Sequence, residues 1–195
     1  LRLGAMETTA AVRLPDLLTG FHRRYPDVDL SLSTAPTEQL VRQVAQRDLD
    51  LSFIGGIVHD ERLVHRAVYE ERLSIFSDHT KAIEDVGESA VLVFRQGCAY
   101  RRHLEVYLSH KNLFPRKVIE MGTLDGILGC VASGMGLTML PRSVVLQHRL
   151  ANDLVEHILP DSIARLTTHA VYPKELSNNP VLAAFVNEFP KLALV

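Results

Sequence analysis

The sequence has no tryptophan, only two cysteines, and nine histidines that never gather into a metal-binding motif. Cys98 and Cys130 lie 32 residues apart, which excludes a disulfide framework. Neither Cys-x-x-Cys nor His-Glu-x-x-His spacing occurs, so zinc is unsupported and no cofactor is expected. No apolar run approaches the roughly 20 residues that span a bilayer. The first residues are not a basic stretch followed by an apolar segment, so no export signal is read there and a cytoplasmic location is expected. Charge of one sign is also lacking: 21 Lys and Arg stand against 23 Asp and Glu, for a net charge of −2. A nucleic-acid groove needs a basic surplus, so this chain is not expected to hold DNA or RNA by itself.

What is present is a core. At 195 residues and 47% hydrophobic, the chain can fold as one compact domain or two small ones. Short apolar, β-branched runs alternate with segments of helical period, the pattern of a mainly parallel sheet with helices on its faces. "LRLGAM" (1–6) reads as a strand already in progress, so the chain is expected to be part of something longer. Residues 8–26 read as helical, with Leu14, Leu17, Leu18, Phe21 and Tyr25 forming a buried stripe and Pro15 opening the longer part after a turn at 8–12. "VDLSLS" (28–33) alternates as a half-buried strand, 36–48 as a helix and 49–56 as a strand, giving β-α-β-α-β. Residues 63–78 read as strand material interrupted around Glu70–Glu71. The pattern then restarts with strand 90–94, helix 99–111, strand 116–121, helix 123–133 and strand 137–140, stopped by Pro141. Strands at 154–159 and 166–172 and a helix at 179–189 complete two similar α/β halves.

Four helix starts carry small or hydroxyl residues directly after a strand: Glu7–Thr8–Thr9, Ala35–Pro36–Thr37, Gly97–Cys98–Ala99 and Gly122–Thr123. The first N–H groups of a helix lack internal partners and carry partial positive charge, and in parallel α/β sheets such ends gather at the carboxyl edge, where ligands bind. Taken one at a time, Thr8, Thr37 and Thr123 read as ordinary N-caps. Cys130 reads as packing; Cys98 stands where a helix N-terminus can lower a thiol pKa, so packing, ligand contact and redox chemistry remain open for it. Arg101 and Arg102 fall in a first turn, unfavourably placed against the dipole, so another interaction should compensate them. His22, His59, His65 and His79 read as surface or interface residues, and Gly55–Gly56 and Gly134/Gly136 as turn geometry. No nucleophile, base and orienting group share a recognisable spacing, so the chain is not expected to be an enzyme.

"VASGMGLTMLP" (131–141), with its apolar helix end, Gly-x-Gly turn and Leu-Pro strand stop, and the "LP-LL--F---YP" spacing from Leu14 to Pro26 resemble the effector-binding domain of LysR-type transcriptional regulators. With "RDLDLSFIGG" the likeness covers nearly the whole chain, and "QGCAYRRHLEVYL" is similar to a subgroup with Gly-Cys-x-Tyr-Arg at its ligand site. The resemblance implies an α/β fold of the type 2 periplasmic-binding-protein kind, with two Rossmann-like subdomains, 1–76 plus 167–195 and 77–166, and a central cleft. A small effector held there would favour one hinge angle. By position, Thr8 and Thr37 match the family's hydroxyls in the first subdomain, while Cys98 and Tyr100 match residues facing the ligand from the second, and Thr123 borders the same cleft. Glu7, Thr9, Gly55, Arg95 and Arg101 lie beside these positions and complete the candidate set. Glu7 places a carboxylate at the mouth and suits a ligand that also bears an amine or hydroxyl; the helix ends with Arg95 and Arg101 suit a carboxylate. The resemblance further implies a winged helix-turn-helix before Leu1 as the only route to DNA. It also implies a homodimer or homotetramer pairing helix 14–25 of one copy with helix 100–110 of another. A cysteine-based redox sensor and a periplasmic solute-binding protein are the rival readings.

Overall fold

Strand β1 (Arg2–Ala5) buries Leu3 and Ala5 and leads directly into helix α1 (Glu7–Val12). In this computed structural model, which describes residues 1–80, 82–190 and 192–194, helix α2 (Leu14–Arg24) follows at once, with Pro15 in its first turn. The expected turn at 8–12 is therefore a short helix of its own. Its junction with α2 falls at Arg13, because a proline is tolerated in a first turn, where N–H groups lack helical partners anyway. Leu14 and Phe21 are fully buried on α2, and the other stripe positions are half-buried. Strand β2 (Ser31–Thr34) is exposed along its whole length, against the half-buried expectation: it pairs only with β1, and an edge strand has one neighbour. Helix α3 (Thr37–Ala45) and strand β3 (Leu51–Gly55) follow, and β1 runs parallel to both β2 and β3, with Ala5 level with Thr34 and Phe53.

Strand β4 (Leu63–Ser77) is continuous for 15 residues, with no break at Glu70–Glu71. That point is instead where the chain leaves one compact unit, residues 1–70 with 167–194, for a second, residues 71–166. In the second unit β5 (Ala90–Val93), helix α4 (Ala99–His110), β6 (Lys117–Glu120), helix α5 (Leu124–Ala132) and β7 (Gly136–Pro141) repeat the parallel α/β pattern. Pro141 ends β7 as a member of the strand and serves as the N-cap of the short helix α6 (Arg142–Leu146). Strand β8 (Val155–Ile158) and β7 flank the second part of β4, both antiparallel. Here Ser74 donates to Glu156 (2.7 Å), whose carboxylate also takes Arg142 Nε at 3.0 Å on each oxygen.

After helix α7 (Asp161–Ala164) the chain returns along β9 (Arg165–Pro173), which in the first unit lies between β3 and β4 and pairs antiparallel with β3, Gly55 level with Thr168. Helix α8 (Pro180–Asn187) is capped by Asn179, whose side chain accepts from the N–H groups of Val181 and Leu182, both at 3.0 Å. The short strand β10 (Ala193–Leu194) pairs with β4. The first unit's core is an aromatic cluster: Phe21 meets Phe185 edge-on at 5.0 Å, and Phe189 touches both Phe185 and Phe53 at 5.5 Å. Such pairs add about 0.5–1.5 kcal/mol each beyond their buried area, and here they tie α2, β3 and the C-terminal helix together. Among the described residues no helix is long and apolar enough to cross a membrane.

Candidate functional site

The parallel strands of the first unit end together, and the segments that leave them carry the candidate residues. Met6 N–H donates to the Phe53 carbonyl (3.2 Å) and Ala35 N–H to that of Ala5 (3.2 Å), so the starts of α1 and α3 are stitched to one sheet edge. Met6, not Thr8, is the N-cap of α1, and Pro36, not Thr37, is that of α3. An N-cap needs extended backbone, and Pro36 supplies it at φ −62° and ψ 153°, which makes Thr37 the first helical residue. Thr37 Oγ1 is thereby free to reach across the edge, where it accepts the Gly55 N–H at 3.3 Å. Its own O–H meets no acceptor among the described residues.

Thr8, Thr9, Thr37 and Gly55 are all buried, and Glu7 is half-buried. The hydroxyl oxygens of Thr9 and of Thr168, opposite Gly55, are buried with no hydrogen-bond partner among the described residues. Leaving such a group unpaired costs about 1–3 kcal/mol, so this edge holds polar capacity that the fold does not use. Thr168 did not stand out in the sequence, where it is one hydroxyl in an ordinary strand.

In the second unit β5 and β6 end at Val93 and Glu120, and the loops beyond carry Arg95 to Cys98 and Gly122–Thr123. Thr123 is a true N-cap, its Oγ1 accepting from Gly126 N–H at 3.2 Å. Cys98 caps α4 through its backbone alone, after Gly97 at φ +87°. Burial pushes the Cys98 thiol above its ordinary pKa; the backbone N–H groups of Arg101 and Tyr100 favour the thiolate but do not outweigh desolvation. The thiol-lowering effect expected of a helix start is therefore overridden. Both cysteines are free thiols.

Arg101 is compensated as its position demanded: Nε donates to Glu105 (2.7 Å) and Nη1 to Glu120 (2.6 Å), and Glu120 also accepts the Gln96 N–H (3.1 Å). These contacts hold Arg101 high in pKa and consume its charge locally. Arg95 is exposed, with its guanidinium against Gly122, 4.0 Å from where a Cβ would stand. Tyr100 is buried to 2% exposure, a core ring at the base of α4. Among the described residues no cluster of three or more His, Cys, Asp or Glu side chains could hold a metal ion.

A first sheet edge with buried hydroxyls and a second with helix starts and the exposed Thr123, with no metal cluster among the described residues, are suited to non-covalent recognition of a small polar molecule. The comparisons with known proteins agree with that chemistry. Residues 1–192 match the family model described as the LysR substrate binding domain. The chain is 38% identical over 190 residues to the HTH-type transcriptional regulator GltR of Bacillus subtilis, covering 95% of this chain and 64% of that protein. It thus spans less than two thirds of that relative's length. The fold is similar to the regulatory domain of CcmR from Synechocystis PCC6803, solved in complex with 2-PG, at a TM-score of 0.80 and 16% identity over 99% of both chains. It is also similar to the effector-binding domain of QuiR in complex with shikimate, at a TM-score of 0.78 and 15% identity over 96% of this chain and 93% of that one. The architecture is the α/β, type 2 periplasmic-binding-protein-like fold of those regulatory domains.

Proposed function

The chain belongs to the family of LysR substrate-binding domains, and from that premise we propose that it senses a small carboxylate-bearing effector at the carboxyl edges of its sheets, without covalent chemistry. One observation carries the reading: Thr37 Oγ1 accepts the Gly55 N–H, and its own buried O–H remains available as a donor beside the positive end of α3. A carboxylate oxygen is the natural partner for such a donor. The ligands in the two structural neighbours, 2-PG and shikimate, are small molecules, and shikimate is a hydroxylated carboxylate. Glu7, Thr8 and Thr9 supply further polar groups at this edge, and Arg95, Cys98, Tyr100, Arg101 and Thr123 are the candidate contributors from the second unit. Arg95 is the cation best suited to the ligand there, because Arg101 is already held by two carboxylates.

Control of transcription would belong to the whole regulator, with DNA contacted by its helix-turn-helix part and the protein acting in the cytoplasm as a homodimer or homotetramer through α2 and α4. An effector shifts such a switch only by its differential affinity for the two states. The buried, protonated Cys98 weighs against the redox reading, since the thiolate is the reactive form. The test is thermal unfolding against a panel of small acids, amino acids and aromatic carboxylates at about 1 mM, where a ligand at about 100 times its Kd adds about 2.7 kcal/mol. A hit should be weakened in Thr37→Val and Arg95→Gln, each alone; the unliganded melting temperature should fall in Thr37→Val, which strips the Gly55 N–H of its acceptor, and change little in Arg95→Gln. A double-mutant cycle then reports whether one ligand engages both residues. No hit across the panel, or hits indifferent to both substitutions, would overturn the proposal.

A further inference from the structure

Two hydroxyls at the carboxyl edge of the first unit are left unused by the fold, and the sheet puts them on one side. A Cβ on Gly4 of β1 would stand 2.7 Å from both Leu40 Cδ2 of α3 and Ser52 Oγ of β3, so those residues share one face. Phe53, the next residue of β3, points to the opposite face, where its ring meets that of Phe189. Ala170 and Thr168 of β9 stand opposite Phe53 and Gly55, and alternation along both strands puts Thr168 on the Phe53 face. Helix α1 runs on into α2, whose Phe21 belongs to the same aromatic cluster, so Thr9, buried on α1, overlies that face too. Thr9 and Thr168 are 1% and 0% exposed, and neither Oγ1 has a hydrogen-bond partner among the described residues. Ser52 Oγ is likewise buried without a partner, but it lies inside the sheet and on the α3 face.

We propose that Thr9 and Thr168 form a subsite that reads a hydroxyl on the effector, which makes the ligand a hydroxy acid rather than a plain carboxylate. The inference rests on the reading of this edge as part of the effector site and names the ligand's second functional group. A hydroxyl both donates and accepts, and so does a threonine side chain: one threonine donates to the ligand oxygen while the other accepts its proton. A second carboxylate fits poorly, because two neutral hydroxyls supply no charge to balance it and an unbalanced buried charge is costly. An ammonium would ask both oxygens to accept and leave their own protons unplaced. The ligand's carboxylate goes to the Thr37 O–H at the start of α3. Both threonines are already stripped of water in the ligand-free chain, so pairing them with a ligand hydroxyl sacrifices no hydration of theirs. Thr37 is equally enclosed, at 3% exposure, so the edge as a whole must open as a ligand enters.

The test is isothermal titration of the whole chain with matched acids that differ by one hydroxyl, malate against succinate and mandelate against phenylacetate. In at least one pair the hydroxy acid should bind about tenfold or more tightly. Thr9→Val and Thr168→Val should each abolish that preference by weakening the hydroxy acid alone, whereas Thr168→Ser, which keeps the O–H, should retain it. A ligand-free readout runs beside this one. Thr168→Val puts a methyl in place of an unpaired O–H within a strand, so its melting temperature should equal or exceed that of the wild type. A lower melting temperature would show that the fold uses the hydroxyl and would overturn the proposal. So would equal affinities or no binding in both pairs, or a preference that survives Thr168→Val. The two readings fail separately. Acids that bind equally with and without the hydroxyl, yet lose affinity in Thr37→Val, would sink the hydroxyl subsite alone. A hydroxyl preference that needs Thr168 but ignores Thr37→Val and Arg95→Gln would sink the carboxylate site alone.

Discussion

The Gly-x-Gly of residues 134–136 carries two different physical demands, and substituting each glycine by alanine separates them. At Gly136 a Cβ would stand 2.0 Å from the Ala90 carbonyl oxygen and 2.7 Å from its carbon. Carbon–oxygen contacts settle at about 3.3 Å, so the shortfall is about 1.3 Å. Both sides of the clash are backbone, in the register pair Ala90–Gly136 of β5 and β7, and no rotamer can relieve it. The strands must separate at that end of the ladder. Overpacking costs about 1–3 kcal/mol, and a rigid backbone partner puts Gly136→Ala near the top of that range. At about 2–4 °C per kcal/mol for a chain this size, the melting temperature should fall by about 6–12 °C. At Gly134 the demand is conformational: φ is +81°, and a Cβ would lie 3.1 Å from Asp78 Oδ2, the end of a side chain that can give way. A left-handed alanine costs about 1–2 kcal/mol. Urea unfolding followed by circular dichroism ranks the two variants. A Gly136→Ala chain within about 0.5 kcal/mol of wild type, or one more stable than Gly134→Ala, would refute the close-approach account.

Cys98 should resist iodoacetamide at neutral pH in the folded chain and react on unfolding, read by mass spectrometry, because burial keeps the thiol protonated; rapid labelling of the native chain would restore the redox reading. Burial lowers the pKa of His65, His157 and His169, so below about pH 6.5 the unfolded chain binds more protons than the folded one. Stability is accordingly full above that pH and declines as pH falls through the folded-state values, and thermal melts from pH 7.5 to 5 should show the decline, reduced in His169→Gln. Thr123→Ala removes a cap bond and should cost about 1 kcal/mol, whereas Thr123→Ser should cost far less; equal losses would assign Thr123 another role. Solution mass by light scattering at tens of micromolar should exceed that of one chain, and a strict monomer would count against pairing through α2 and α4.

Element types were legible because apolar period and punctuation agreed along most of the chain. Pro15 opening a helix, Asn179 before Pro180 and Thr123 before α5 each announced a helix start through local chemistry alone. Several of the errors share a cause, dependence on partners far along the chain, while the caps at Met6 and Pro36 were missed through local backbone geometry. The exposure of β2 follows from its place at the sheet edge, and the continuity of β4 follows from its neighbours β7, β8 and β9. Thr37 looked like a cap because a hydroxyl beside a helix usually is one, and only the fold brings Gly55 within its reach. The same holds for the depression of Cys98 reactivity and for the meeting of His65 with His169, residues 104 positions apart in sequence.

The central claim is that a small acid is recognised at the carboxyl edges of the sheets. An amide chemical-shift map of the ¹⁵N-labelled chain, with and without the acid that most raises its melting temperature, tests it most directly. The account predicts the largest changes at Thr8, Thr9, Thr37 and Gly55 in the first unit and around Arg95 and Thr123 in the second. Changes confined to another surface, such as the groove of about 500 Å³ lined by Leu18, His22, Pro26 and Leu32, with Thr37 and Gly55 unmoved, would contradict it.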